Sequence, residues 1–454
     1  MVHKPDGFVE YILIHYNWIF VCLFLLPISF VFDIWMYFRN WLVFKLSSAP
    51  KQHDKKVKHV QKQVRDWNNN GQKTQMCTAR PGWQMMSFRR PIYKKTMYNV
   101  KVNLVDILEV DTEKQIVRVE PLVSMGQLTA TLNPMGWTIP VLPEIDDLTV
   151  GGLVMGTGIE SSSHKYGLFQ HVCLSYELVL CDGSIIKCTS EENSDLFYSV
   201  PWSYGSLGIL TAVEIKMIPA KKYVKLTYNP VRGLETIAKK FEEASKNTEN
   251  EFVEALAYSE DQAVIMTGIQ TDAPEYDKRL LSQTYQIVIL GTSGWLVPPK
   301  VSLLKLTQTE AIKKLYENNH MIQDMLVPIE TFVDSVKIFK ETCNIFPVWL
   351  CPFILPSNPG MVHPKGNAER LYVDIGLYGV PNVENFDPKK STRKIEKYAA
   401  EVNGFQMLYA DTYMTREEFR RMFDHTLYDK LRTDMKCEKA FPEVYDKVSR
   451  AARY

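Results

Sequence analysis

The sequence predicts an α+β protein carried on a single membrane-spanning helix, and three observations predict it. No Asp, Glu, Lys or Arg occurs from Tyr11 to Phe32. Strand-like apolar alternations further on are separated by short helical runs of unequal length, without a regular βαβ rhythm. Thr149 to Ser161 sets four glycines, Gly151, Gly152, Gly156 and Gly158, in an otherwise apolar run. At 454 residues, 46% hydrophobic and 23% charged, the chain has the composition of a globular protein and the length of two or three domains. Its net charge of +1 offers no basic surplus, so no nucleic-acid partner is expected.

The apolar run is long enough to cross about 30 Å of hydrocarbon, which takes about 20 helical residues. The spanning helix is placed at 18–38, with 1–17 lumenal. Trp18, Trp35, Tyr37 and Trp41 lie near its ends, as interfacial aromatic residues do. Arg39, Lys45, Lys51, Lys55, Lys56 and Lys58 follow it, whereas Lys4 alone precedes it, so the bulk of the chain is expected on the cytosolic side. A cleaved signal peptide fits less well, because aromatic residues and Asp33 stand where small residues should follow the apolar stretch. The eight cysteines show neither a CxxC pair nor zinc spacing, which suits a reducing compartment and gives no reason to expect a metal.

Val57, Val60, Val64 and Trp67 recur at helical spacing and predict an amphipathic helix over 52–67, stopped at Asn70-Gly71. Strands are expected at 116–121, 176–180, 184–188 and 210–218, with a hairpin turn at Asp182-Gly183 and short helices near 125–133 and 195–200. Arg80 and Glu177 are read as an internal support pair. After Pro219 the elements lengthen: strands near 223–228, 252–258, 263–271, 346–355 and 371–377, and helices near 233–247, 309–320 and 327–342. Thr415-Arg-Glu-Glu418 is a capping-box start for a late helix.

Glycine has no Cβ, so the glycine run lets main-chain N–H groups approach a bulky anion and permits positive φ; it reads as a pyrophosphate cradle. No Lys-Ser/Thr follows it, as a P-loop requires, and Gly156-Thr-Gly158-Ile-Glu-Ser161 puts serine where a dinucleotide fingerprint has its third glycine. Around it, in order, stand Val119-Glu-Pro-Leu-Val-Ser-Met-Gly126, Gly136-Trp-Thr-Ile-Pro140, His164-Lys-Tyr-Gly167, Leu180-Cys-Asp-Gly183 and Trp202-Ser-Tyr-Gly-Ser-Leu-Gly-Ile-Leu-Thr211. This set resembles the FAD-binding domain of the vanillyl-alcohol oxidase and p-cresol methylhydroxylase superfamily (PCMH-type). The resemblance implies a flavin domain over 44–220 and a substrate, or cap, domain over 221–454.

The same resemblance implies that Thr149, Val150, Gly151, Gly152, Leu153, Val154, Met155, Gly156, Thr157, Gly158, Ile159, Glu160 and Ser161 hold the FAD pyrophosphate. It implies further that Gly205 and Gly208 help enclose the dinucleotide and that Arg80 and Gly82 belong to the second phosphate loop. Many members carry a flavin-linked histidine in that loop; Cys77-Thr-Ala-Arg-Pro-Gly-Trp83 has none, so non-covalent FAD is expected.

Longer blocks, among them Leu46-Ser-Ser-Ala-Pro50, Asp146-Asp-Leu-Thr149, Trp349-Leu-Cys-Pro-Phe-Ile-Leu-Pro356 and Gly404-Phe-Gln-Met-Leu-Tyr-Ala-Asp411, resemble the delta(24)-sterol reductase family. That resemblance implies reduction of a sterol C24=C25 double bond with NADPH as reductant and FAD as carrier, at the endoplasmic reticulum membrane and also the Golgi membrane. Between Asp272 and Trp295 the chain is several dozen residues shorter than the family pattern. Candidate proton donors are His164 and Tyr166, beside the glycine run, and Tyr409 in the second domain. Two alternatives stay open: an alcohol or lactone oxidase of the same superfamily, and a silent scaffold binding sterol or protein.

Overall fold

A computed structural model describes residues 16, 19, 21–46, 48–79, 91–272, 317–366 and 368–453. The expected lumenal stretch apart from Tyr16, the start of the spanning helix at Trp18, the Arg80-Pro81-Gly82 loop, the shortened stretch 273–294 and most of the helix expected at 309–320 lie outside the described residues.

The first described element is a π-turn, Val21–Leu25, running into helix α1, Leu26–Lys45. Among the described residues, Cys22–Lys45 is long and apolar enough to cross a membrane: 24 residues, mean hydropathy 1.5, and no burial against the rest of the chain. The helix continues past the expected end at residue 38. There Arg39 joins the body of the protein, donating to Asp106 at 2.6 and 3.2 Å.

Helix α2, Ala49–Asn69, buries Val57, Val60, Val64 and Trp67 on one face, against Met76, Val100, Leu104 and Phe441. Its apolar stripe therefore docks on protein. His53 on the same helix sits between Glu120 at 2.8 Å and Glu177 at 3.1 Å. Glu177 also accepts from Arg118 at 2.9 Å and from the Thr211 hydroxyl at 2.8 Å; the expected partner Arg80 lies outside the described residues.

Strands β1, Met76–Thr78, and β2, Tyr98–Val100, form a parallel pair. The first main sheet follows: β3 Ile107–Asp111 and β4 Ile116–Val119, then, after helix α3 Met125–Leu132, short strand β5 Trp137–Thr138 and helices α4 Val150–Met155 and α5 Ser163–Tyr166, strands β6 Cys173–Val179 and β7 Ile185–Thr189. Helix α6, Ser194–Ser199, leads into β8, Ile209–Lys216. The antiparallel order is β3-β4-β8-β6-β7. The expected turn at Asp182-Gly183 joins β6 to β7, with Gly183 at φ +84°. Strand β9, Ile218–Pro219, pairs back with β5.

The second sheet is larger. Its strands are β10 Tyr223–Arg232, β11 Phe252–Ser259, β12 Gln262–Thr271, β13 Met321–Pro328, β14 Val348–Leu355, β15 Arg370–Gly379 and β16 Phe405–Gln406, in the antiparallel order β10-β12-β11-β14-β15-β13-β16. Helices α7 Leu234–Lys246, α8 Phe332–Thr342 and α9 Pro388–Glu401 pack their apolar stripes on it. The helix expected from 327 starts only at Phe332, because Met321–Pro328 is a buried strand between β15 and β16. A short apolar run of that length does not separate strand from helix by periodicity alone.

The chain then folds through α10 Arg416–Met422, started by the expected Thr415–Glu418 capping box, and α11 Thr426–Asp434 to α12 Tyr445–Val448. This last stretch returns to the first half: Tyr428 shares a 2.7 Å hydrogen bond with Ser206, and Arg432 donates to the Ser206 carbonyl at 2.8 Å. One apolar core runs through both sheets.

Candidate functional site

The glycine run is not a loop throughout. Thr149 caps helix α4 by accepting from the Gly152 N–H at 3.3 Å, while the Gly151 N–H is taken by the Pro121 carbonyl at 2.7 Å. None of the four glycines has positive φ, which corrects that part of the sequence reading. Close packing is what requires them: a Cβ at Gly151 would stand 2.7 Å from Pro121 Cβ, and one at Gly158 would stand 2.9 Å from Leu153 Cδ2. The left-handed positions lie on the neighbouring turn, at Trp202, Tyr204 and Gly205 with φ of 64°, 51° and 70°. Trp202 and Tyr204, two non-glycine residues in that region, are strained conformations held by their surroundings. The Tyr204 N–H donates to the Met155 carbonyl at 3.1 Å, tying the two glycine-bearing segments together.

A cavity of about 840 Å³ opens between these segments and the larger sheet. From the run it takes Thr149, Gly152, Leu153, Gly156, Thr157, Gly158, Ile159 and Glu160; from the turn it takes Tyr204. His320, Asp324, Trp349, Tyr378 and Tyr409 form the opposite wall, and Lys447 reaches in from α12. The volume falls in the range of cofactor and ligand pockets, and the lining is mostly apolar with a few polar groups.

Charge inside the cavity is unusual. Burial, with Lys94 adding to it, pushes the Lys447 ammonium down to about 7; the group donates to the Tyr204 carbonyl. Burial raises the Glu160 carboxyl well above its ordinary value, with the charge of Glu144 adding to it. On the sheet, burial raises the Asp324 carboxyl to about 7 although Tyr378 donates a hydrogen bond to it. Asp374, two residues before Gly376 on β15, is fully buried, and among the described residues neither of its oxygens has a hydrogen-bond partner. Its carboxyl is raised well above the ordinary range by burial and by Asp324.

Of the residues singled out from sequence, Val150, Gly151, Val154, Met155, Ser161, Gly205 and Gly208 support the run and the turn without lining the cavity. Arg80 and Gly82 lie outside the described residues. His164 and Tyr166 are also absent from the lining: both ring nitrogens of His164 face carbonyls, of Ser161 at 3.0 Å and of Asn250 at 3.1 Å, and burial lowers its pKa. Tyr409 lines the cavity. Sequence reasoning missed Asp324, Tyr378 and Lys447; they stand alone in strands or helices, and only the register of β13 on β15 and the return of the C-terminal segment bring them in.

Comparison with known proteins supplies the chemistry. Residues 55–189 match a family model described as an FAD binding domain. The chain is 55% identical to the Delta(24)-sterol reductase of Mus musculus, covering 98% of this chain and 96% of the relative, and 34% identical to that of Arabidopsis thaliana, covering 99% and 94%. The mouse alignment runs over 494 positions, more than the 454 residues here, so the relative carries sequence with no counterpart in this chain. The L-gulonolactone oxidase of Mus musculus is 30% identical over 25% of the chain.

The residues fit a flavin dinucleotide: the run meets the cavity as glycine-rich backbone, and a buried ammonium faces the same space. With an FAD binding domain and full-length reductase relatives, the chain belongs to the delta(24)-sterol reductase family and is an FAD-dependent oxidoreductase.

Proposed function

We propose that the chain reduces the C24=C25 double bond of a sterol side chain, with NADPH as reductant, at the cytosolic face of the endoplasmic reticulum membrane. The observation that carries this reading is the single cavity, glycine run on one wall and aromatic sheet on the other, in a protein bearing a membrane-length helix. Such a cavity receives a flavin ring and a hydrocarbon side chain against each other, and an anchor keeps it beside the bilayer where an insoluble sterol resides.

The flavin, when bound, supplies hydride transfer, which side chains cannot perform. The chain's own residues do the rest. Thr149 to Ser161, with Gly205, Gly208 and the Arg80-Gly82 loop, hold the dinucleotide, non-covalently because no histidine stands in that loop. Residues 44–220 form the flavin unit and 221–454 the substrate unit. Trp349 and Ile322 shape the apolar side and exclude water. Tyr409 delivers the proton to the alkene carbon that does not take hydride; it lines the cavity, whereas His164 is absent from the lining and has both ring nitrogens engaged by carbonyls.

Membranes expressing the chain, given desmosterol and NADPH, should form cholesterol. Absence of product from protein that holds FAD and is folded would overturn the assignment. Peroxide released from an alcohol or lactone would mark an oxidase, and flavin that NADPH fails to bleach would mark a scaffold. Yellow flavin retained by acid-precipitated protein would contradict non-covalent binding.

A further inference from the structure

We infer that Asp324 is the acid behind the proton donor, connected to Tyr409 through Tyr378. This rests on the sterol-reductase reading above. Asp324 on β13 lies directly opposite Gly376 on β15, and Tyr378, two residues on, projects from the same face. Its ring folds back over the glycine. A Cβ at position 376 would lie 2.7 Å from a Tyr378 ring carbon, 2.9 Å from its hydroxyl and 3.0 Å from Asp324 Oδ1. Position 376 therefore has to be glycine for Tyr378 to reach the carboxyl, and Tyr378 donates to it. The Tyr378 hydroxyl is in turn 3.5 Å from that of Tyr409, at the outer limit of hydrogen bonding and within reach of a small side-chain rotation. Asp324, Tyr378 and Tyr409 all line the cavity.

The chemistry needs such a chain. An isolated alkene is a poor base, and a tyrosine on its own is a weak acid with a pKa near ~10. In the step proposed, one alkene carbon would take the hydride that a bound flavin would supply, and the other takes the Tyr409 proton. Tyr409 recovers a proton from Tyr378, whose O–H turns from Asp324 toward Tyr409 once the carboxyl is protonated, and Tyr378 takes the proton of the Asp324 carboxylic acid in turn. The net donor is then a carboxylic acid, and the resulting carboxylate is reprotonated from water, which balances the single proton consumed per NADPH and alkene.

The surroundings keep Asp324 protonated until it is used. Asp374 on β15 is its carboxyl neighbour, with no hydrogen bond from the described residues to either oxygen to favour its own charged form. Tyr378 on β15, Cys351 on β14 and Glu254 on β11 are further ionisable groups of the same sheet, and Glu144 acts on Tyr378 from the flavin half. His320, Glu160 and Lys447 face the same cavity. The acid form of Asp324 thus persists to about pH 7.

The test uses full-length membrane enzyme carrying Asp324→Asn, Tyr378→Phe, Gly376→Ala or Asp374→Asn, with FAD content and thermal stability checked for each. Bleaching of the flavin by NADPH should stay within about twofold of wild type, whereas sterol reduction by Asp324→Asn and Tyr378→Phe should fall about 100-fold. Gly376→Ala should show the same split. The alkaline fall of kcat centred near pH 7 should vanish in Asp324→Asn and stay in place in Asp374→Asn, because the neighbouring carboxyl is still neutral when Asp324 gives up its proton. A readout independent of turnover is infrared absorption: wild type should show a protonated carboxyl band below pH 7 that Asp324→Asn lacks. Wild-type turnover with an unchanged pH profile in FAD-loaded Asp324→Asn, or absence of that band, overturns the relay. A wild type that shows the band but reduces no sterol overturns the functional reading instead.

Discussion

Arg39 on α1 and Asp106 at the start of β3 are joined by two guanidinium hydrogen bonds, at 2.6 and 3.2 Å, with the carboxylate only 1% exposed. Lys56 shares that carboxylate at 2.5 Å. Burial alone would raise the Asp106 carboxyl; the hydrogen bonds from Arg39 and Lys56 hold it below its usual range. Arg39→Ala leaves Asp106 with Lys56 alone and should cost about 1–3 kcal/mol of stability, less than full loss of a buried pair because one cation remains. Denaturant titration of solubilised protein measures this, and an Arg39→Ala variant as stable as wild type would show the pair to be idle.

His53 gives stability a defined pH window. Burial would lower its pKa, yet Glu120 and Glu177 raise it to about 9, above the ordinary 6.5. The His53 contribution is therefore complete below pH 6.5 and lost as pH rises through 9. Glu177, which burial would raise, is brought down to about 2 by His53 and Thr211, so its share is present above pH 4.5 and lost as pH falls through 2. Melting temperature against pH should show a plateau between those limits, and His53→Gln should flatten the alkaline side.

Gly151→Ala forces a methyl into Pro121. Overpacking of this kind costs about 1–3 kcal/mol, and here it displaces α4 from the cavity wall. Purified Gly151→Ala should carry less FAD per chain than wild type, whereas Gly71→Ala, where no atom lies within 4 Å, should carry the full amount at a small cost from its φ of +82°. Equal flavin content in the two variants would remove the packing argument.

Lys447 predicts how flavin affinity changes with pH. Its ammonium is lowered by burial to about 7, so folding without an anion releases its proton, and stability gained from this group grows as pH rises from 7 to 10.5. A dinucleotide phosphate beside it favours the charged form, so FAD should bind more weakly as pH rises above 7. Calorimetric titration would show the slope in wild type and its loss in Lys447→Met.

How much of this was legible in sequence depends on how local the signal is. The α2 stripe, the Asp182-Gly183 hairpin and the Thr415–Glu418 cap are written in neighbouring residues, and each forms where periodicity or capping chemistry puts it. The glycine run was legible as a backbone that must pass close to something, but the partner, Pro121, and the absence of positive φ emerge only from packing. Strand β13 was lost because eight mostly apolar residues satisfy both periods. The acid chain of Asp324, Tyr378 and Tyr409 has members up to 85 positions apart in the sequence, and no spacing rule links them; sheet register does.

The return of the C-terminal segment sets the order in which the protein is completed. Cys437 and Phe441 fill the core behind Val64 and Trp67, and Lys447 reaches Tyr204 beside the glycine run. Those residues follow both sheets in the chain, so the first sheet by itself lacks one side of the site that the glycine run lines. A chain stopped short of Tyr428 would keep both sheets but leave the core beside Val64 and Trp67 open and the Tyr204 carbonyl without its lysine.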